Sequence, residues 1–155
     1  ICEIEVDPDT GVFQITRYSA VDDVGRCINP MIVHGQTHGG IVQGVGQAIG
    51  ELCALDPTSG QPVAASLMDY FMPRADDMPS FRTEIAEVLS PTNPLGVKAG
   101  GEGGTTPALS TIVNALVDAL QDYGVRDLQM PTTPISIWRA IQHGKKTKAQ
   151  RENAK

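Results

Sequence analysis

Cysteine is scarce: Cys2, Cys27 and Cys53 are the only three in 155 residues, and no two are spaced as C-x-x-C. An odd, scattered set argues against a disulfide framework and leaves no thiolate cluster to hold zinc or an iron–sulfur centre within the chain. Isolated thiols of this kind fit a reducing cytoplasm, where cysteine packs as a small hydrophobe. Long apolar runs are missing too. The longest are a few residues, against the ~20 needed to cross a bilayer, so no membrane span is expected. Positive charge is in deficit: twelve Lys and Arg against eighteen Asp and Glu give a net charge of −6. That balance offers no basic face to the phosphates of a nucleic acid. An initiator methionine is lacking, and from the opening on Ile1 a fragment or processed piece is expected.

What is present suffices for a folded domain. A hydrophobic fraction of 41% with modest net charge can bury a core. The charge is uneven, because Lys145, Lys146, Lys148, Arg151 and Lys155 place five of the twelve basic residues in the last eleven positions. Residues 1–144 keep seven basic against seventeen acidic residues, a net of −10. The last stretch has no apolar period, so residues 145–155 read as a basic, disordered tail.

The order of elements predicts an α+β fold. Cys2-Glu3-Ile4-Glu5-Val6 alternates with period 2, Asp7-Pro8-Asp9-Thr10-Gly11 is turn chemistry, and a strand over Val12–Val21 completes a β-hairpin. Asn29-Pro30 reads as a helix cap and first helical residue. Ile41, Val42, Val45, Ala48, Ile49 and Leu52 then form one apolar stripe of a helix reaching about Cys53. Ala64–Met72 looks extended, and Phe81–Leu89 alternates like a half-buried strand. Thr106-Pro107 repeats the cap signal before the stripe Leu109, Ile112, Val113, Leu116, Val117, Leu120, with Gly124 as a left-handed C-terminal cap. Thr133-Pro134 opens a shorter helix carrying Ile135, Trp138 and Ile141 and closed by Gly144. Two long helices and a short C-terminal one therefore pack with the strands.

Three stretches could carry chemistry. Five glycines fall within Gly35–Gly46, each costing a helix roughly 1 kcal/mol relative to alanine. Gln36, Gly40, Gln43 and Gln47 share one face, suited either to a flat polar ligand or to a tight helix crossing. Gly44-x-Gly46-x-x-x-Gly50, with Asp69 about 20 residues on, imitates a dinucleotide fingerprint but lacks the strand before it. His34 and His38 have metal-ligand spacing, yet glycine occupies position 35 where a metalloprotease motif needs glutamate. A surface or core-edge pair reads better. Finally, Gly100-Gly101-Glu102-Gly103-Gly104 holds one carboxylate between glycine pairs just before a helix. Backbone N–H groups there can form an anion- or oxyanion-binding concavity, or the loop can be a solvated one with an idle glutamate.

Val24-Gly25 through Asn29-Pro30, Gly35-Gln36, Gly39-Gly40, Gln43-Gly44-x-Gly46 and Asn93-Pro94-Leu95-Gly96-Val97-Lys98-x-x-Gly101-Glu102 agree in order and spacing with one family. Over residues 1–142 the chain resembles the C-terminal part of the molybdopterin-binding large subunit of the xanthine dehydrogenase, aldehyde oxidase and aerobic carbon-monoxide dehydrogenase family. One departure is Ala99-Gly100, where relatives often carry glycine first.

The resemblance implies that residues 1–144 are the C-terminal portion of a molybdenum cofactor-binding domain. It implies Glu102 as the catalytic general base, and Gln36, Gly40, Lys98, Gly100, Gly101 and Gly103 as cofactor-binding, with no metal ligand supplied by a side chain. The cofactor would be a molybdenum–pterin, in its cytosine dinucleotide form in a bacterium. The activity would be hydroxylation of an aldehyde or N-heterocycle, or oxidation of carbon monoxide. Partners would be the upstream part of the same subunit and the [2Fe–2S] and FAD domains or subunits of an oligomeric complex, with a small-molecule substrate. The alternative is an isolated structural or assembly module with no activity of its own.

Overall fold

The computed structural model describes residues 1–153, with side chains as far as residue 150. Strand β1 (Cys2–Val6) pairs antiparallel with β2 (Phe13–Asp22), setting Cys2 opposite Tyr18 and Val6 opposite Phe13, with an irregularity between Glu3 and Ile4. The turn closes because the Asp7 carboxylate accepts from the Asp9 N–H at 2.9 Å and the Thr10 hydroxyl at 2.7 Å. Strand β3 (Phe81–Ile85) runs parallel to β2, giving the order β1-β2-β3. It is shorter than the alternation over Phe81–Leu89 implies. Beyond Ile85, Ala86 still bonds the Asp22 carbonyl, but Val88 turns its N–H to the Asp23 side chain and the ladder ends.

Helix α1 (Pro30–Ile49) begins as the cap signal requires: Asn29 Oδ1 accepts from the Ile32 N–H, with Pro30 in the first turn. It stops short of Cys53 because the Phe71 ring lies against Gly50, 2.5 Å from where a Cβ would stand. Leu52 is consequently exposed. The extended segment expected over Ala64–Met72 is a set of turns instead. Ser66 accepts from Met68 N–H through its hydroxyl and from Asp69 and Tyr70 N–H through its carbonyl. Such local bonding competes with a strand ladder.

Helix α2 (Thr105–Ala119) starts earlier than Thr106 as a cap would allow. Gly104 precedes it without a side-chain cap bond, and the Glu102 carbonyl receives both the Thr105 and Thr106 N–H groups. Pro107 remains within the first turn, where its missing N–H is harmless. Gly124 is left-handed at φ +84, but it follows a 3-10 turn over Gln121–Tyr123 rather than α2 itself.

Helix α3 (Pro134–Asn153) corrects two expectations. It is long, not short, and it continues through Gly144 into the segment expected to be a disordered tail. Lys145, Lys146 and Lys148 are exposed on this helix; Lys155 lies outside the described residues. Gly144 serves packing, since a Cβ there would stand 3.0 Å from the Gly124 carbonyl carbon and closer still to the Tyr123 oxygen. The buried face is Ile137, Ile141 and Gly144, whereas Ile135 is 52% exposed and Trp138 37%. Thr133 does cap α3, accepting from the Ser136 N–H.

The core gathers Ile15 and Tyr18 from β2, Ile41 and Val45 from α1, Ile112 and Leu116 from α2, and Ile137 and Ile141 from α3. Buried Thr132 ties α3 to α1: its N–H and hydroxyl both donate to the Ala48 carbonyl, at 2.7 and 2.9 Å.

The glycines of α1 divide into two sets. A Cβ on Gly40 would stand 3.0 Å from Thr105 N, and one on Gly44 2.5 Å from Thr105 O and 2.7 Å from the Ala108 methyl. These two admit the N-terminus of α2. Gly46 and Gly50 admit Pro73 and Phe71, and all lie within or at the end of one helix, so the dinucleotide reading fails. Gly35 and Gly39 meet nothing within 4 Å. Gly35→Ala should therefore raise the stability of this chain by about 0.5–1 kcal/mol through helix propensity alone. Thermal or urea unfolding measures it; a loss of stability would show that the position is not open.

Candidate functional site

The site begins where β2 leaves the sheet. Gly25 takes a φ of +63, and a Cβ there would stand 3.0 Å from Lys98 N and closer to the Gly96 oxygen. Only glycine lets the segment 93–98 lie against 24–26. The join is a short antiparallel contact: Gly25 bridges Val97, the Arg26 N–H donates to Gly96 O at 3.0 Å, and the Lys98 N–H donates to Val24 O at 2.8 Å. Arg26 Nε adds a bond to Leu95 O at 2.9 Å. Asn93 bonds Val97 through both ends of its amide, which shapes the turn at Gly96. Two motifs some seventy residues apart in sequence thus meet as one unit.

From Lys98 the glycine loop runs to α2 under anchors from both sides. Gly100 packs on Val24, 2.8 Å from its Cγ1 were a Cβ present. Gln36, on α1, donates its Nε2 to the Gly101 carbonyl at 3.1 Å. Gly104 sits on α1 so closely that a Cβ would stand 2.9 Å from Ile41 N. Between these anchors, Gly101, Glu102 and Gly103 are exposed. The N–H groups of Gly100 to Gly103 find no protein acceptor among the described residues. A cleft of about 380 Å³ lies alongside, lined by Val24, Ile32, Val97, Arg26, Gln36, Lys98 and Gly100.

Of the residues singled out in the sequence, Gln36, Lys98, Gly100, Gly101, Glu102 and Gly103 lie on this loop or touch it. Gly40 is buried against Gly104 and Thr105, where it serves the helix crossing. His34 Nδ1 and His38 Nε2 converge on the Thr83 hydroxyl at 2.8 and 3.0 Å, and the described residues hold no set of three ligands able to take a metal ion. The pair is a core-edge contact between α1 and β3.

Two aspartates that no sequence motif marks also shape the site. Asp22 Oδ2 accepts from the buried Thr37 hydroxyl at 2.6 Å, tying β2 to α1. Asp23 accepts from the Gly25 and Val88 N–H groups through Oδ1 and from Lys98 Nζ through Oδ2 at 2.5 Å. Its carboxyl is held below the ordinary aspartate value, first by the Lys98 bond and then by the Gly25 N–H. Because the folded value lies below the unfolded one, this contribution is present above the ordinary aspartate pKa and is lost as pH falls through the lowered one. The only signal in the sequence is an acidic pair at the end of a strand, which is too common to single out.

Unpaired N–H groups on bare backbone, followed by a helix N-terminus, suit an acceptor-rich anionic group. A Cβ on Gly101 would meet nothing within 4 Å, so a flat ligand has room to approach the loop. The donor set therefore fits a phosphate-bearing pterin.

The chain belongs to the family described as molybdopterin cofactor-binding domain, which matches residues 1–79. It is 36% identical over 142 residues to the carbon monoxide dehydrogenase large chain of Hydrogenophaga pseudoflava, covering 92% of this chain and 18% of that one. It is 42% identical over 145 residues to the 6-hydroxypseudooxynicotine dehydrogenase complex subunit gamma of Paenarthrobacter nicotinovorans, with coverage of 92% and 18%. Among solved structures, quinoline 2-oxidoreductase from Pseudomonas putida 86 is similar at a TM-score of 0.85 and 41% identity, covering 90% of this chain and 18% of that one. The crystal structure of a Cu,Mo-CO dehydrogenase gives a TM-score of 0.87 at 34% identity, covering 93% and 18%. The chain thus spans under one-fifth of the length of these relatives. Among the described residues no helix is long and apolar enough to cross a membrane.

Proposed function

We propose that this chain forms one wall of a molybdenum–pterin active site in a hydroxylase subunit, with Glu102 as the general base. The observation that carries this reading is the 3.1 Å bond from Gln36 to the Gly101 carbonyl, which holds the carboxylate loop against the polar face of α1. Gln36, Lys98 and the N–H groups of Gly100, Gly101 and Gly103 would hold the cofactor. Gly40 serves it indirectly, by letting α2 start close beneath the loop. When bound, the cofactor supplies Lewis acidity and a two-electron acceptor. Glu102 takes up, on a carboxylate oxygen, the proton released as the substrate carbon is hydroxylated.

Substrates of the class are aldehydes and N-heterocycles, or carbon monoxide. The cofactor is the cytosine dinucleotide form, and electrons leave to [2Fe–2S] and FAD centres on partner domains or subunits of a cytoplasmic complex. The remainder of the subunit completes the pocket.

The test is to produce the chain within its subunit and complex and to measure bound molybdenum, pterin and dye-linked substrate oxidation. Stoichiometric molybdenum is expected, falling in Gln36→Ala. A folded complex with neither molybdenum nor oxidation would overturn the reading and leave a structural or assembly module.

A further inference from the structure

We propose that Asp23 is a positioning residue for the reaction: through Lys98 it sets the direction in which the loop presents Glu102. This rests on the reading of Glu102 as the base. No motif singles out Asp23 in the sequence, but the structure gives its carboxylate three donors from three separate stretches of chain. Oδ1 takes the N–H of Gly25, at the bend after β2, and the N–H of Val88, beyond β3. Oδ2 takes Lys98 Nζ. A carboxylate has lone pairs for about four bonds, so three well-separated donors nearly fill it.

The pair with Lys98 contributes little to stability. Both side chains are about one-third exposed, and solvent screens ion pairs of that kind. Its consequence is geometric. The stretch from Lys98 to Gly101 is fixed at one end by Lys98, through its N–H to Val24 and its ammonium to Asp23, and at the other by Gln36 on Gly101. Glu102 is the next residue. With the ammonium released, the Lys98 N–H and the Gln36 bond still hold the two ends, but the stretch between them loses one restraint and can shift, which moves the carboxylate. General-base transfer requires the carboxylate at hydrogen-bond reach of the proton, so a small swing is costly.

Asp23→Asn isolates this effect. The amide oxygen can keep the Gly25 and Val88 bonds, while the amide NH₂ replaces the oxygen that faces the ammonium. In the assembled, molybdenum-loaded enzyme we expect kcat to fall by roughly tenfold, within the range for a misplaced catalytic group. KM and molybdenum content should stay at the parent values. Amide exchange of the peptide covering 97–104 should speed up without substrate, with the melting temperature unmoved. Lys98→Met should reproduce the fall in kcat counted per bound molybdenum, and adding Asp23→Asn to Lys98→Met should change that value no further, because the two act as one unit.

Unchanged kcat in Asp23→Asn, or a further fall when it is added to Lys98→Met, overturns the proposal. If Asp23→Asn does not fold, Lys98→Met decides: an unchanged kcat overturns it equally. Glu102→Gln assayed alongside separates the two readings. Loss of turnover in Glu102→Gln with normal kcat in Asp23→Asn sinks this inference alone, while normal turnover in Glu102→Gln sinks the base assignment on which it rests.

Discussion

Glu102→Gln in the assembled, cofactor-loaded enzyme is expected to lower turnover by ~10²–10⁴, the range for loss of a general base. Glutamine has the volume of glutamate and accepts hydrogen bonds, but it cannot hold the proton. The loop itself should be undisturbed, since Glu102 meets its neighbours through its backbone carbonyl, which caps Thr105 and Thr106. Molybdenum content and melting temperature should therefore match the parent. Steady-state assay per bound molybdenum checks the prediction, and rates within a few-fold of the parent would remove Glu102 from the role.

The largest effect on stability is expected at Gly104. Its Cα lies against the backbone of α1, and a Cβ would stand 2.9 Å from Ile41 N and closer to Thr37 O. Backbone atoms on both sides cannot rotate away as a flexible side chain can. Gly104→Ala should cost about 1–3 kcal/mol, the usual range for overpacking, or more if the helix crossing has to open. Chemical unfolding of the chain measures this. Gly40→Ala presses on the same crossing from the other helix, so the pair of substitutions should be less than additive. Gly39→Ala, which meets open space, is the control. A Gly104→Ala protein as stable as the parent would mean that α2 does not lie against α1 as described.

The fold was legible where the signal is local. Asn29-Pro30 and Thr133-Pro134 each open a helix because a side-chain oxygen and a missing N–H act within one turn. The hairpin followed from alternation and a five-residue turn. Thr106-Pro107 has the same composition and misled, because the start of α2 is decided by how closely Gly104 must approach α1. The third helix misled in a similar way. Ile135, Trp138 and Ile141 fit a helical period as well as Ile137 and Ile141 do, and the phase is chosen by Gly144 seating on residues 123–124. Lys145, Lys146 and Lys148 lack an apolar stripe, yet they ride on a helix already begun, for which propagation needs only one bond per residue.

The candidate site divides along the same line. Glycine pairs around a lone carboxylate and a glycine-and-glutamine helix could each be recognised from residue order. Whether the bare face of α1 served a ligand or a crossing was open, and the structure splits it: Gly40 and Gly44 face α2, while Gly35 and Gly39 face open space. Asp23 carried no pattern of its own, since its importance comes only from the donors that the fold brings to it.

By itself the sequence determined the hairpin, the caps at Asn29 and Thr133 and the bare loop around one glutamate, because each depends on residues within a turn or two of one another. Tertiary structure alone decided that Gln36 reaches a carbonyl 65 residues away, that Asp23 reaches Lys98 across 75, and which glycines pack and which stay open. The physical reason is that such contacts depend on where whole elements settle against a shared core, and that balance of packing and chain entropy has no short-range trace in residue order.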